Sequence, residues 1–191
     1  MKQGAAPNRR ELIMTSLLLP VAASTHARAA LANSPTLVAW FSRSGNTRVI
    51  AGQIARTLKA DRLEIVPAQP YPDDYFETVE QAKQERDIGC EPPLGSVVEI
   101  IDFYETLYLG FPIWGMTAPP VIRSFLSNHN LAGKTIVPFI THGGYGTGNS
   151  LQVVAKHAPE ARLFDAFVMA RPQERQTIER VMAWLNRSDA R

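Results

Sequence analysis

Apolar residues along this chain alternate between short unbroken runs and stretches with a helical period. Thr36-Leu-Val-Ala-Trp-Phe41 is too short for a free-standing helix and predicts a buried strand. After Thr47 the period becomes helical, with Val49, Ile50, Ile54, Ala55 and Leu58 spaced to share one face. Arg62 to Val66 predicts a second strand, ended by Pro67 and Pro70. Asp73 to Asp87 predicts a polar helix whose Phe76, Val79, Ala82 and Ile88 are expected to face inward. Val97 to Tyr104 links it to a third strand, Leu107 to Phe111, which stops at Pro112. Pro119 and Pro120 suit a helix start, and Val121, Ile122, Phe125 and Leu126 follow at helical spacing. A fourth strand begins at Ile136, and Leu151 to Pro159 is helical. Leu163 to Met169 is the last strand, and Gln173 to Asn186 a closing helix lined by Ile178, Val181, Met182 and Leu185. Five strands alternating with helices predict an α/β fold: a doubly wound parallel sheet with helices on both faces.

The first thirty residues stand outside this pattern. Asn8-Arg9-Arg10-Glu11 precedes a modest apolar stretch from Leu12 to Ala23 that is too short to span a bilayer. Ala27-Arg28-Ala29 and Ala30-Leu31-Ala32 offer small-x-small cleavage sites. The layout is that of a signal peptide over residues 1–30, leaving 31–191 as the mature domain. The paired arginines resemble a twin-arginine export signal, which implies a bacterial periplasm. The rival reading is a disordered extension of a cytosolic protein. The full chain carries 20 basic and 18 acidic residues. Residues 1–30 hold Lys2, Arg9, Arg10 and Arg28 against Glu11, so the remainder has 16 basic and 17 acidic residues, a net −1. A near-neutral domain argues against nucleic acid as a partner. A single cysteine, Cys90, forms no internal disulfide, and the four histidines have no metal-ligand spacing.

Chemistry concentrates in three loops that each follow a strand. Ser42-Arg43-Ser44-Gly45-Asn46-Thr47 joins the first strand to the first helix. Unpartnered N–H groups of a helix start and the helix dipole favour an anion there. Ser42, Ser44 and Thr47 add hydroxyls, Asn46 an amide, and Gly45 lets the backbone pass close. The loop lacks both the lysine of a P-loop and the three spaced glycines of a dinucleotide site. Gly110-Phe-Pro-Ile-Trp-Gly115 follows the third strand. Trp114, set between Pro112-Ile113 and Gly115, either stacks on a flat ligand or covers its own loop; its flanks favour stacking. Thr141-His-Gly-Gly-Tyr-Gly146 follows the fourth strand. Gly143, Gly144 and Gly146 admit a flat ligand to the backbone, and Tyr145 is a candidate for its opposite face. His142 either approaches the ligand or bonds to the loop backbone.

The first loop resembles the FMN phosphate loop of the flavodoxin family, and the second and third resemble its ring-binding loops. The resemblance runs from Thr36 to about Asn186. It implies the strand order 2-1-3-4-5, with FMN at the switch point beyond strands 1 and 3. It also implies a flavin-based electron carrier meeting redox donor and acceptor proteins or membrane quinone. An FMN-dependent reductase of quinones or another small acceptor needs the same loops. A flavin-free binding module is the third alternative, disfavoured by the intact first loop.

Overall fold

The computed structural model describes residues 35–170 and 174–188. The paired arginines and both cleavage sites lie outside them. The described residues all belong to one compact unit.

Strand β1 (Thr36–Trp40) leads to helix α1 (Asn46–Leu58) and strand β2 (Asp61–Glu64). Helix α2 (Tyr75–Asp87) and a 3-10 turn (Ile101–Phe103) precede strand β3 (Thr106–Pro112). Helix α3 (Pro120–Ser127), strand β4 (Thr135–His142) and helix α4 (Ser150–His157) follow. Two short strands, β5 (Arg162–Leu163) and β6 (Phe167–Ala170), and helix α5 (Glu174–Ser188) complete the described residues. The sheet is parallel in the order that the family resemblance implies, β2-β1-β3-β4-β5, with β6 also paired to β4. Register sets Trp40 opposite Gly110, and Pro112 opposite Thr141, so β1, β3 and β4 end at one edge of the sheet.

The last strand, expected to run from Leu163 to Met169, comes in two pieces. Phe164 still donates to the Ile136 carbonyl at 2.9 Å. The next residue of β4 whose backbone faces that neighbour is Pro138, which has no N–H to give. Pairing resumes at Phe139 opposite Phe167.

Alternation along the strands divides the core in two. Leu37, Ala39, Leu107, Leu109 and Phe111 pack on one side against Val121, Ile122 and Phe125 of α3. Val38, Trp40, Tyr108 and Phe139 pack on the other against Ile50 and Ile54 of α1 and Val181 and Trp184 of α5. Gly110 is required by packing, because a Cβ there would overlap the Phe139 ring on the neighbouring strand.

Three helix faces differ from expectation. Val49 points outward, and Ala51 takes its place beside Ile50, Ile54 and Ala55. In α2, Phe76 (78% exposed), Val79 and Ile88 (79%) lie outside, and only Thr78 and Ala82 are buried. Polar anchors set this rotation. Asp74 caps the helix by accepting from the Phe76 and Glu77 N–H groups at 2.8 and 3.0 Å. The Thr78 hydroxyl donates to the Pro72 carbonyl at 2.7 Å. In α5, Thr177 and Trp184 share the buried face with Val181 and Leu185, and Ile178 is left partly exposed. Among the described residues no helix is long and apolar enough to cross a membrane.

Candidate functional site

The first loop is shaped by Gly45, which precedes α1 at φ 86° in a left-handed conformation that glycine adopts without strain. No side chain caps this helix start. Ser44 and Asn46 stand exposed at its mouth. Thr47 points inward instead, and its hydroxyl lies 2.9 Å from that of Thr141 at the end of β4. Two hydroxyls share one hydrogen bond there, so the pair keeps a hydrogen to donate elsewhere. The Ser42 hydroxyl is buried with no partner. Leaving such a group unsatisfied costs about 1–3 kcal/mol, which an acceptor entering the loop would offset. An anion fits this set of donors.

The loop's two arginines turn elsewhere. Arg43 donates from Nη2 to the Asp73 carbonyl at 2.5 Å, and its guanidinium lies 5.9 Å from the centre of the Tyr75 ring. Arg48 pairs with Glu64 on β2 at 2.6 Å, and this hydrogen bond and charge raise its pKa further. Any anion in the loop is therefore held by neutral donors and backbone, with Arg43 placed on the β2 side.

Beyond β3, Ile113 donates to the Thr141 carbonyl at 2.8 Å, extending the β3–β4 ladder past Pro112. Trp114 and Thr117 exchange backbone hydrogen bonds of 3.0 and 3.1 Å across Gly115 (φ 54°) and Met116 (φ 66°). Two successive positive φ values are the signature of a type I′ turn. Half-buried Trp114 packs at right angles to Phe41 (5.2 Å) and Tyr71 (4.9 Å). The Tyr71 hydroxyl donates to Glu85 at 2.8 Å. Burial, then that bond and the Glu85 charge, push its pKa well above the usual tyrosine value.

Beyond β4, His142 turns back on its loop. Its Nδ1 accepts from the Gly144 and Gly146 N–H groups, both at 3.1 Å. The backbone-bonded alternative for this histidine is the one found. Tyr145 points out, 85% exposed. Farther along, Gly148 (φ 53°) packs so closely that a Cβ would overlap the Met116 backbone. Asn149 donates to the Met116 carbonyl at 3.0 Å, tying the far end of this loop to the β3 turn.

The fold thus brings Ser42, Ser44, Gly45, Asn46, Thr47, Pro112, Ile113, Trp114, Gly115, Thr141, His142, Gly143, Gly144 and Gly146 to one sheet edge; in the same loops the Arg43 side chain turns to the Asp73 carbonyl and Tyr145 stands exposed. Sequence reasoning missed Phe41, Tyr71 and Glu85, and also Arg86, whose Nη1 takes the space a Cβ on Gly115 would fill. Tyr71 lies in a proline-rich connection, and Glu85 and Arg86 on a polar helix, neither of which carries a periodic signal. A cleft of about 430 Å³ opens on the β2 side of the first loop, lined by Phe41, Arg43, Val66, Tyr71, Pro72 and Asp73. Among the described residues no group of His, Cys, Asp and Glu is placed to hold a metal ion.

A family model described as flavodoxin matches residues 35–188, and the chain belongs to that family. A protein from Bacteroides eggerthii DSM 20697 assigned as a flavoprotein is 34% identical, with a TM-score of 0.69 over 81% of this chain and 97% of its own. One from Bacteroides uniformis ATCC 8492 with the same assignment is 28% identical, with a TM-score of 0.69 over 79% of this chain and 97% of its own. A flavoprotein from Lactobacillus acidophilus NCFM in complex with FMN shares the fold at 18% identity, with a TM-score of 0.60 over 70% of this chain and 91% of its own. No curated protein matches the chain significantly.

Proposed function

We propose that this chain binds FMN and carries electrons in the bacterial periplasm. The observation that carries the reading is the convergence of three loops at the ends of β1, β3 and β4, with the first and third joined through the Thr47–Thr141 hydroxyl pair. In this reading the Ser42–Thr47 loop and the start of α1 hold the phosphate. The Trp114 turn and the loop from Thr141 to Gly146 flank the ring. When bound, FMN supplies the electron-transfer chemistry, and the chain supplies binding, orientation and electrostatics. Its Lactobacillus acidophilus relative in fold is known in complex with FMN, which supports the same assignment here.

Export follows from Arg9-Arg10 and the weak apolar stretch behind them. The twin-arginine route carries folded proteins, so the cofactor would be loaded before crossing. Changing both arginines to lysine should leave the protein in the cytoplasm with its leader attached. Mature protein in the periplasm after that change would refute this route. Redox proteins or membrane quinone are the partners such a carrier would meet there.

The cleft beside Phe41 and Tyr71 favours a second reading, an FMN-dependent reductase of quinones or similar small acceptors. Its aromatic wall packs directly on Trp114. Steady-state reduction of a soluble quinone by the FMN-loaded protein, with excess NAD(P)H as the electron donor, separates the two: a carrier gives at most stoichiometric oxidation of its own reduced flavin, a reductase many turnovers.

A further inference from the structure

The C-terminal turn of α2 reaches the turn after β3 twice. Glu85 accepts from Tyr71, whose ring packs on Trp114. One residue on, Arg86 extends to Gly115, where its Nη1 takes the space a Cβ would fill. Asp87 takes the opposite edge of the guanidinium, with Oδ1 3.0 Å from Nε and 2.9 Å from Nη2. The Arg86 side chain keeps 31% of its exposure, so its charge is partly withdrawn from water. A cation at the last turn of α2 also suits the helix dipole.

We propose that Arg86, which lies outside all three loops, is a positioning residue that sets the charge behind the ring-flanking turn. The inference rests on the FMN reading of the site. Uptake of two electrons and one proton leaves the flavin ring one charge more negative at neutral pH. A guanidinium behind a thin peptide turn favours that charge, because little water lies between to screen it. Asp87 opposes the effect, so the two residues form an electrostatic pair of opposite sense. Glycine at 115 is what allows the guanidinium to come this close.

The test compares FMN-loaded parent, R86Q, R86K and D87N by anaerobic titration with dithionite against a reference dye, after measuring FMN affinity for each. R86Q should lower the equilibrium constant for two-electron reduction about tenfold, a midpoint potential lower by about 30 mV. D87N should move it the other way, and R86K should stay within about threefold of the parent. Oxidised FMN should bind all four with similar affinity. Equal shifts in R86Q and R86K would mean that packing, not charge, is sensed, and would overturn the inference. So would identical potentials in all four proteins. If R86Q does not fold, D87N decides alone, an upward shift supporting the proposal and none overturning it. A parent that takes up no FMN overturns the cofactor reading and this inference together. A parent that binds FMN, with potentials indifferent to these changes, overturns the inference alone.

Discussion

Helices α1 and α2 are both thirteen residues long, lie next to the candidate site, and are held in place in opposite ways. Helix α1 buries Ile50, Ala51, Ile54 and Ala55 against one face of the sheet. Helix α2 buries only Thr78 and Ala82 and is fixed by the Asp74 cap, the Thr78–Pro72 bond, Glu85 on Tyr71 and Arg86 on the β3 turn. Burial tells a helix which face goes in, and a sequence pattern records it. Directional polar contacts orient a helix just as firmly and leave no period behind. The helix held by apolar burial presents its N-terminus to the site, and the helix held by polar contacts presents its C-terminal turn.

The polar end of α1 offers the largest effect. Asn46→Ala with Thr47→Ala removes two candidate donors to a charged group, each worth about 1.5–3 kcal/mol. FMN should then bind about two to four orders of magnitude more weakly. Riboflavin, which lacks the phosphate, should lose far less, and fluorescence quenching titrations of both ligands check the difference. Equal losses would remove the phosphate from this loop. Because Thr47 also satisfies Thr141, the double variant should be less stable as well.

Stability sharpens the contrast between the helices. Ile54 is fully buried in α1, and Ile54→Ala should cost about 2–5 kcal/mol. Val79 in α2 is 46% exposed, and Val79→Ala should change stability by no more than about 0.5 kcal/mol. Urea denaturation of both variants measures this directly. A comparable loss at Val79 would mean that α2 is packed as α1 is.

Much of this was legible in the sequence, for identifiable reasons. The strands and the three loops followed from short apolar runs and from residues few other structures require, such as Gly45 within a hydroxyl-rich loop, and the strand order followed from the family resemblance that those loops carry. The inward face of α3 followed from period alone, and the buried strands from unbroken apolar runs. The orientation of α2 did not, because Phe76, Val79 and Ile88 are apolar at near-helical spacing while the polar anchors sit between them. The break in the last strand did not either. Pro138 is plain in the sequence, but the neighbour that its missing N–H would face depends on register. The Thr47–Thr141 pair joins residues 94 apart, and only the folded sheet edge brings them together.

The segment after α2 is also tied down by polar contacts, and this gives a smaller, pH-dependent effect. Buried His129 accepts from the Val98 N–H at Nε2 (2.9 Å), so its Nδ1 carries the hydrogen that bonds the Phe125 carbonyl at 2.6 Å. Burial lowers its pKa, partly opposed by the Phe125 carbonyl. The unfolded chain therefore takes up the proton first, near the ordinary histidine value of about 6.5. This contribution to stability is full above that value and is lost as pH falls toward the lower folded pKa. His129→Gln should flatten the difference in urea midpoint between pH 7.5 and pH 5. Parallel pH slopes in parent and variant would show that His129 titrates alike in both states.

The central claim is that three loops at one sheet edge hold FMN. The full chain should be purified without added flavin, its visible spectrum recorded, and any flavin released by denaturation identified by chromatography. The expected result is a yellow protein that releases about one FMN per chain. A colourless protein that also fails to quench FMN fluorescence on titration would contradict it.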